Sequence, residues 1–184
     1  MTAVTAASGR LADAPGPTPG IARRLACFVY EGVLLFGVLM IAGYLYSSLT
    51  QQRNAMQGRE GLAAFLFLVL GIYFVWFWSH GGQTVAMRAW HVRLVAADGR
   101  PVGQGRALAR YLLSWIWFMP AVLSLWFAGL HGPLPTFTIL LAGVLAYAGL
   151  AWLHPTRQFW HDAACGTRLV TWRVAPVAKP KAGR

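Results

Sequence analysis

The stretch Leu25-Ala-Cys-Phe-Val-Tyr-Glu-Gly-Val-Leu-Leu-Phe-Gly-Val-Leu-Met-Ile-Ala-Gly-Tyr-Leu-Tyr-Ser-Ser-Leu49 decides the fold. It carries one charge, Glu31, and exceeds the roughly 20 residues a helix needs to cross a bilayer. A cleaved signal peptide would have a shorter apolar core without an acid near its start, so the run reads as an uncleaved first span. The preceding Arg23-Arg24 pair lacks the flanking residues of a twin-arginine signal.

Three similar runs follow it. The spans are expected at about 25–48, 62–79, 111–130 and 134–153, with Pro120 kinking the third. Tyr73, Phe74, Trp76, Phe77 and Trp78 crowd the end of the second, as interfacial aromatics do. Between the second and third runs, Gln83–Ala89 suits a short interfacial helix. Trp90–Val95 alternates like a strand, and Asp98-Gly99 is a hairpin-turn signal. Thr167–Val174 also alternates and is expected to pair with that hairpin. The predicted fold class is an all-α membrane protein, a four-transmembrane-helix bundle with a small cytoplasmic β-hairpin or strand element. Residues 1–20 read as a disordered tail rich in Ala, Thr, Pro and Gly, 21–174 as the membrane domain, and 175–184 as a basic tail.

Composition agrees with a bilayer solvent. Hydrophobic residues are 57% and charged residues 11% of the chain, against about 45–50% and about 25% in soluble domains. The net charge of +11 does not form one patch, since the basic residues flank the apolar runs. Anionic headgroups are therefore the expected partner, and nucleic acid is not. Of the 16 Lys and Arg, only Arg53 and Arg59 fall outside the N-terminal side, the middle loop and the C-terminal side. By the positive-inside rule the protein is a multi-pass cell-membrane protein with cytoplasmic N and C termini.

Few charges fall near the membrane, and these are the candidate functional residues. Arg24 and Glu31 are seven residues apart, two helical turns, and share a face. Glu31 would stand roughly 10 Å along the axis from Arg24. An ionised carboxylate in hydrocarbon costs roughly 2.5–3.5 kcal/mol, so Glu31 should face the bundle interior, find a partner or take up a proton. It is either an ion or proton site or a helix lock satisfied by an Arg or hydroxyl elsewhere. Asp162, just past the fourth span, is a candidate partner for Arg24 across the interface.

Other chemistries lack their residues. His154 and His161 straddle Pro155, and no HExxH or CxxC spacing supports a metal. His80-Gly-Gly-Gln-Thr84 lacks the phosphate-loop frame, and no serine has the His and acid neighbours of a nucleophile. Cys27 and Cys165 suggest no disulfide framework. No cofactor and no enzymatic activity are expected.

Three segments resemble the RDD family of membrane proteins. Arg24-Leu-Ala-Cys-Phe-Val-Tyr-Glu31 is similar to the family's first-helix motif, an Arg followed seven residues later by an Asp. Gly82-Gln-Thr-Val-Ala-Met-Arg88, running into His91–Gly99, resembles its central Gly-Gln-Thr segment. Phe159-Trp-His-Asp162 with Ala163–Thr167 resembles its closing segment and second Asp. Glu31 departs from the pattern by one methylene while keeping the charge. The resemblance implies the four-span fold, points to Arg24, Glu31 and Asp162, and carries a proposed link to cation or proton exchange. Two functions are expected to compete. One is transport, with Glu31 titrating in an oligomer; the other is a scaffold or accessory role binding a partner protein or anionic lipid.

Overall fold

The computed structural model describes residues 16–51, 58–130, 132–153 and 158–172. The expected loop around Arg53, His154, the basic tail and most of the N-terminal tail lie outside them. Four helices in this structure are long and apolar enough to cross a membrane.

Helix α1, Ile21–Leu49, takes in the arginine pair as well as the apolar run. Its buried residues are Arg24, Cys27, Glu31, Leu35 and Ala42. These steps of three, four, four and seven make one stripe. The opposite face exposes Val33, Phe36 and Ile41, a pattern inverted from that of a soluble helix. Helix α2, Arg59–His80, packs beside α1.

A compact layer sits at the His80 end. Thr84 caps the short helix α3, Val85–Ala89, by accepting the Met87 amide at 3.3 Å. Strand β1, Val92–Ala96, pairs antiparallel with strand β2, Thr167–Thr171, in the register Val92↔Thr171 to Ala96↔Thr167. The pairing of the late strand with the early one is as the alternation predicts. The expected hairpin at Asp98-Gly99 is not: the turn closes with Ala96 N donating to the Arg100 carbonyl, and the chain then leaves the sheet. Pro101 has no N–H to continue a ladder, and helix α4 begins at Gln104. Within residues 16–20, expected in the disordered tail, the Pro17 carbonyl accepts the Thr171 amide at the end of β2 at 2.9 Å, and Thr18 Oγ1 accepts from Gln158 Nε2 at 3.0 Å.

The third span also differs from its prediction. It starts earlier, as α4, Gln104–Ser114, burying Ala107, Arg110 and Tyr111 on one face. It then tightens into a 3₁₀ turn, Trp115–Trp117, and restarts as α5, Met119–Phe127. Pro120 occupies the first turn of α5, where its missing N–H is tolerated, so the proline resets the helix just ahead of itself. Helix α6, Pro133–Leu150, is the fourth span and packs on α5, with Gly143 close against Ala121. A 3₁₀ turn, Ala151–Leu153, follows, and a short helix α7, Trp160–Ala164, leads into β2.

The most buried side chains belong to the sheet layer and the adjoining span ends. Leu94, Val92, Val102 and Val170 are almost fully enclosed. Gly82 is required there. Its φ is +69°, its carbonyl accepts the Leu94 amide at 2.7 Å, and a Cβ would run into the Leu94 carbonyl.

Candidate functional site

The two acids near the membrane are both enclosed, and each is held differently. Glu31 is 7% exposed on the inner stripe of α1. Its Oε1 accepts from the Tyr73 hydroxyl on α2 at 2.6 Å, and its Oε2 accepts from the Thr84 hydroxyl at the head of α3. The Thr84 oxygen already accepts the Met87 amide, so its proton is available to the carboxylate. Glu31 thus joins three elements through two neutral donors.

Gly82-Gln-Thr84 can be read residue by residue. Gly82 permits the close approach to β1. Gln83 Nε2 donates to the Val92 carbonyl at 2.7 Å, tying the segment to the same strand. Thr84 caps α3 and reaches Glu31. Thr84 is a site residue that sequence reasoning passed over. Tyr73, read as an interfacial aromatic, is another. A hydroxyl among aromatics at a span end was the available signal.

Asp162 is fully enclosed, on α7. Its hydrogen-bonded ion pair is with Arg110 of α4, Nε to Oδ1 at 2.6 Å. The expected partner, Arg24, lies within the electrostatic reach of Asp162, and its guanidinium stacks on the Phe159 ring at 4.4 Å. Arg110 likewise stacks on Trp78 at 4.1 Å. Arg110 was legible only as one of several basic residues in the middle loop. It nonetheless precedes the apolar run Tyr111–Leu113 just as Arg24 precedes Leu25. Thr167 Oγ1 donates to the Asp162 carbonyl at 3.1 Å, which fixes the acid to the start of β2.

His161 belongs to the same group. Tyr147 on α6 places its hydroxyl 3.1 Å from Nδ1 and also accepts the His161 amide at 3.2 Å. The other ring nitrogen, Nε2, lies 3.4 Å from Asp162 Oδ1. Burial lowers the imidazole to about 4; Asp162 opposes the shift and Arg110 adds to it. The ring is neutral at pH 7. Among the described residues no group of three His, Cys, Asp or Glu is arranged to hold a metal ion.

Arg24, Glu31, Arg110 and His161 all line one cavity of about 430 Å³. Its remaining walls are largely apolar, with Leu35 from α1, Leu70 and Phe74 from α2, and Trp115 and Phe118 from the third span. Arg24 and Glu31 share the buried face that their spacing predicts. Asp162 joins them from behind Arg110.

The sequence profile of the RDD family matches residues 18–166, most of the chain. No curated protein and no solved structure matches.

Proposed function

The chain belongs to the RDD family of membrane proteins, and from that premise we propose that it takes part in cation or proton exchange, with Glu31 as the titrating group. One observation carries this reading: an enclosed carboxylate on a membrane-spanning helix faces a cavity and is held by two neutral hydroxyls. Hydroxyls alone would make a helix lock; the cavity beside the carboxylate is what favours a titrating role. Hydroxyl partners leave the charge of Glu31 free to be answered by a proton or by a hard cation that prefers oxygen donors. The Arg24 and Arg110–Asp162 group lies at the basic end of the same cavity and would gate it. The positive-inside rule supports placing that end, with both termini, in the cytoplasm. Four spans are few for a carrier, so the working unit would be an oligomer.

The test is proton flux driven by a sodium or potassium gradient in proteoliposomes. The native chain should move protons and Glu31→Gln should not. Flux unchanged by that substitution removes Glu31 from the mechanism.

A scaffold role is the second reading. It is favoured by exposed Arg88, Arg100 and Arg106 at the basic end, where a partner protein or anionic lipid would dock. Under it, Glu31→Gln lowers folding yield, no flux is seen in the native chain, and a partner co-purifies from mild detergent.

A further inference from the structure

The cavity has more shape than a proton path requires. Along α1 it runs from Arg24 to Leu35, about 16 Å at 1.5 Å per residue. One leaflet of hydrocarbon is about 15 Å thick, half of the roughly 30 Å core. One end is polar, with Arg24 and Arg110 beside the sheet layer, and the other is apolar, at Leu35, Leu70 and Phe118. Its mouth lies along α1, where the lining residues Phe28 and Val29 and the bare backbone of Gly32 are exposed on the membrane-facing surface. The volume, about 430 Å³, is within the roughly 300–1,000 Å³ of small-molecule sites.

The charge at the polar end favours an anion. Asp162 there is already paired with Arg110, and Glu31 lies two turns of α1 deeper than Arg24. Arg106 is exposed one turn before Arg110 on α4, and Arg23 stands beside Arg24. An amphiphile with its head at these arginines and its tail toward the midplane matches both ends.

We propose that the cavity between α1, α2 and α4 is a lipid site, taking one acyl chain of an anionic phospholipid whose headgroup rests against the arginines at the basic end. Occupancy does not depend on whether the protein moves ions. A seated chain would exclude water from the cavity side of Glu31, so lipid and water compete for one space.

The experiment uses the full chain in nanodiscs carrying a phosphatidylglycerol with a photoreactive group in its acyl chain, and labelled residues are mapped by mass spectrometry. Label should concentrate on Leu35, Leu70 and Phe118 over the outward Phe36 and Ile41. Unlabelled phosphatidylglycerol should compete it away. A matched phosphatidylcholine probe should label the cavity about fivefold less, the effect of one guanidinium on an anionic headgroup. Gly32→Phe should close the mouth, because nothing stands within 4 Å of where its Cβ would be. Gly37→Phe, equally open but outside the cavity, should leave labelling unchanged. Even labelling of inward and outward residues, or failure of unlabelled lipid to compete, overturns the site, and neither readout needs a variant to fold. Full labelling of a folded Gly32→Phe also overturns it. Equal labelling by the two headgroups overturns the anionic preference.

Discussion

Arg110 Nε and Asp162 Oδ1 lie 2.6 Å apart in a buried ion pair that fastens the third span to the short helix before β2. The two residues come from elements separated by an entire span and its loop. Trp78 covers the guanidinium, and Thr167 holds the backbone of the acid. The pair therefore joins α2, α4, α7 and β2 at one point.

Breaking that pair from either side should be costly. Arg110→Leu or Asp162→Leu each leaves a buried charge uncompensated and should lose about 3–5 kcal/mol. The double substitution should lose much less than the two singles added together. Denaturant unfolding in mixed micelles reads this cycle, and strictly additive losses would show that the pair contributes no mutual energy.

Thr84 has two tasks, and its variants separate them from simple packing. Thr84→Val keeps the shape but removes the α3 cap and a donor to Glu31, so a loss of about 2–3 kcal/mol is expected. Thr84→Ser retains the hydroxyl and should cost less than about 1 kcal/mol by comparison. Equal losses in the two variants would mean that the methyl group, not the hydroxyl, matters.

Gly82 combines a positive φ with close approach to the Leu94 carbonyl. Gly82→Ala should destabilise by about 2 kcal/mol or more, through strain at that φ and displacement of β1. Gly103→Ala is the control, since its conformation is ordinary and no atom lies within 4 Å of the added carbon. Its unfolding midpoint should move little.

His161 sets a pH dependence with a definite sign. Its folded value, about 4, lies below the ordinary 6.5, so in that interval the unfolded chain binds the proton and the folded chain does not. Stability from this group is complete above pH 6.5 and is lost as pH falls toward 4, by about 3 kcal/mol in all. Thermal unfolding of the native chain from pH 7 to pH 4 should show that decline. In His161→Gln the decline should be reduced, and an unchanged slope would assign it to other groups.

Much of the site was legible before the fold because it depends on helical spacing. Arg24 and Glu31 are placed on one face by their separation alone, and both prove to be buried there. The partners were not legible. Tyr73 and Thr84 lie 42 and 53 residues from Glu31, and no local rule connects them. The same holds for Arg110 and Asp162, 52 residues apart. One local misreading had a local cause. Asp98-Gly99 does make a turn, but Pro101 ends the ladder that a hairpin needs. Pro120 interrupts the third span as expected, with the 3₁₀ turn Trp115–Trp117 just ahead of it.

By itself the sequence determined the four apolar helices, their family, and the face of α1 that holds Arg24 and Glu31. The helices and the face follow from hydropathy, run length and the 3.6-residue period, which act within one segment, and the family follows from three motifs in order along the chain. Only the tertiary structure decided that Glu31 is answered by hydroxyls, that Asp162 is answered by Arg110, and that a cavity lies between them. Those outcomes depend on which span ends meet over the two-stranded sheet, and packing between distant segments sets that.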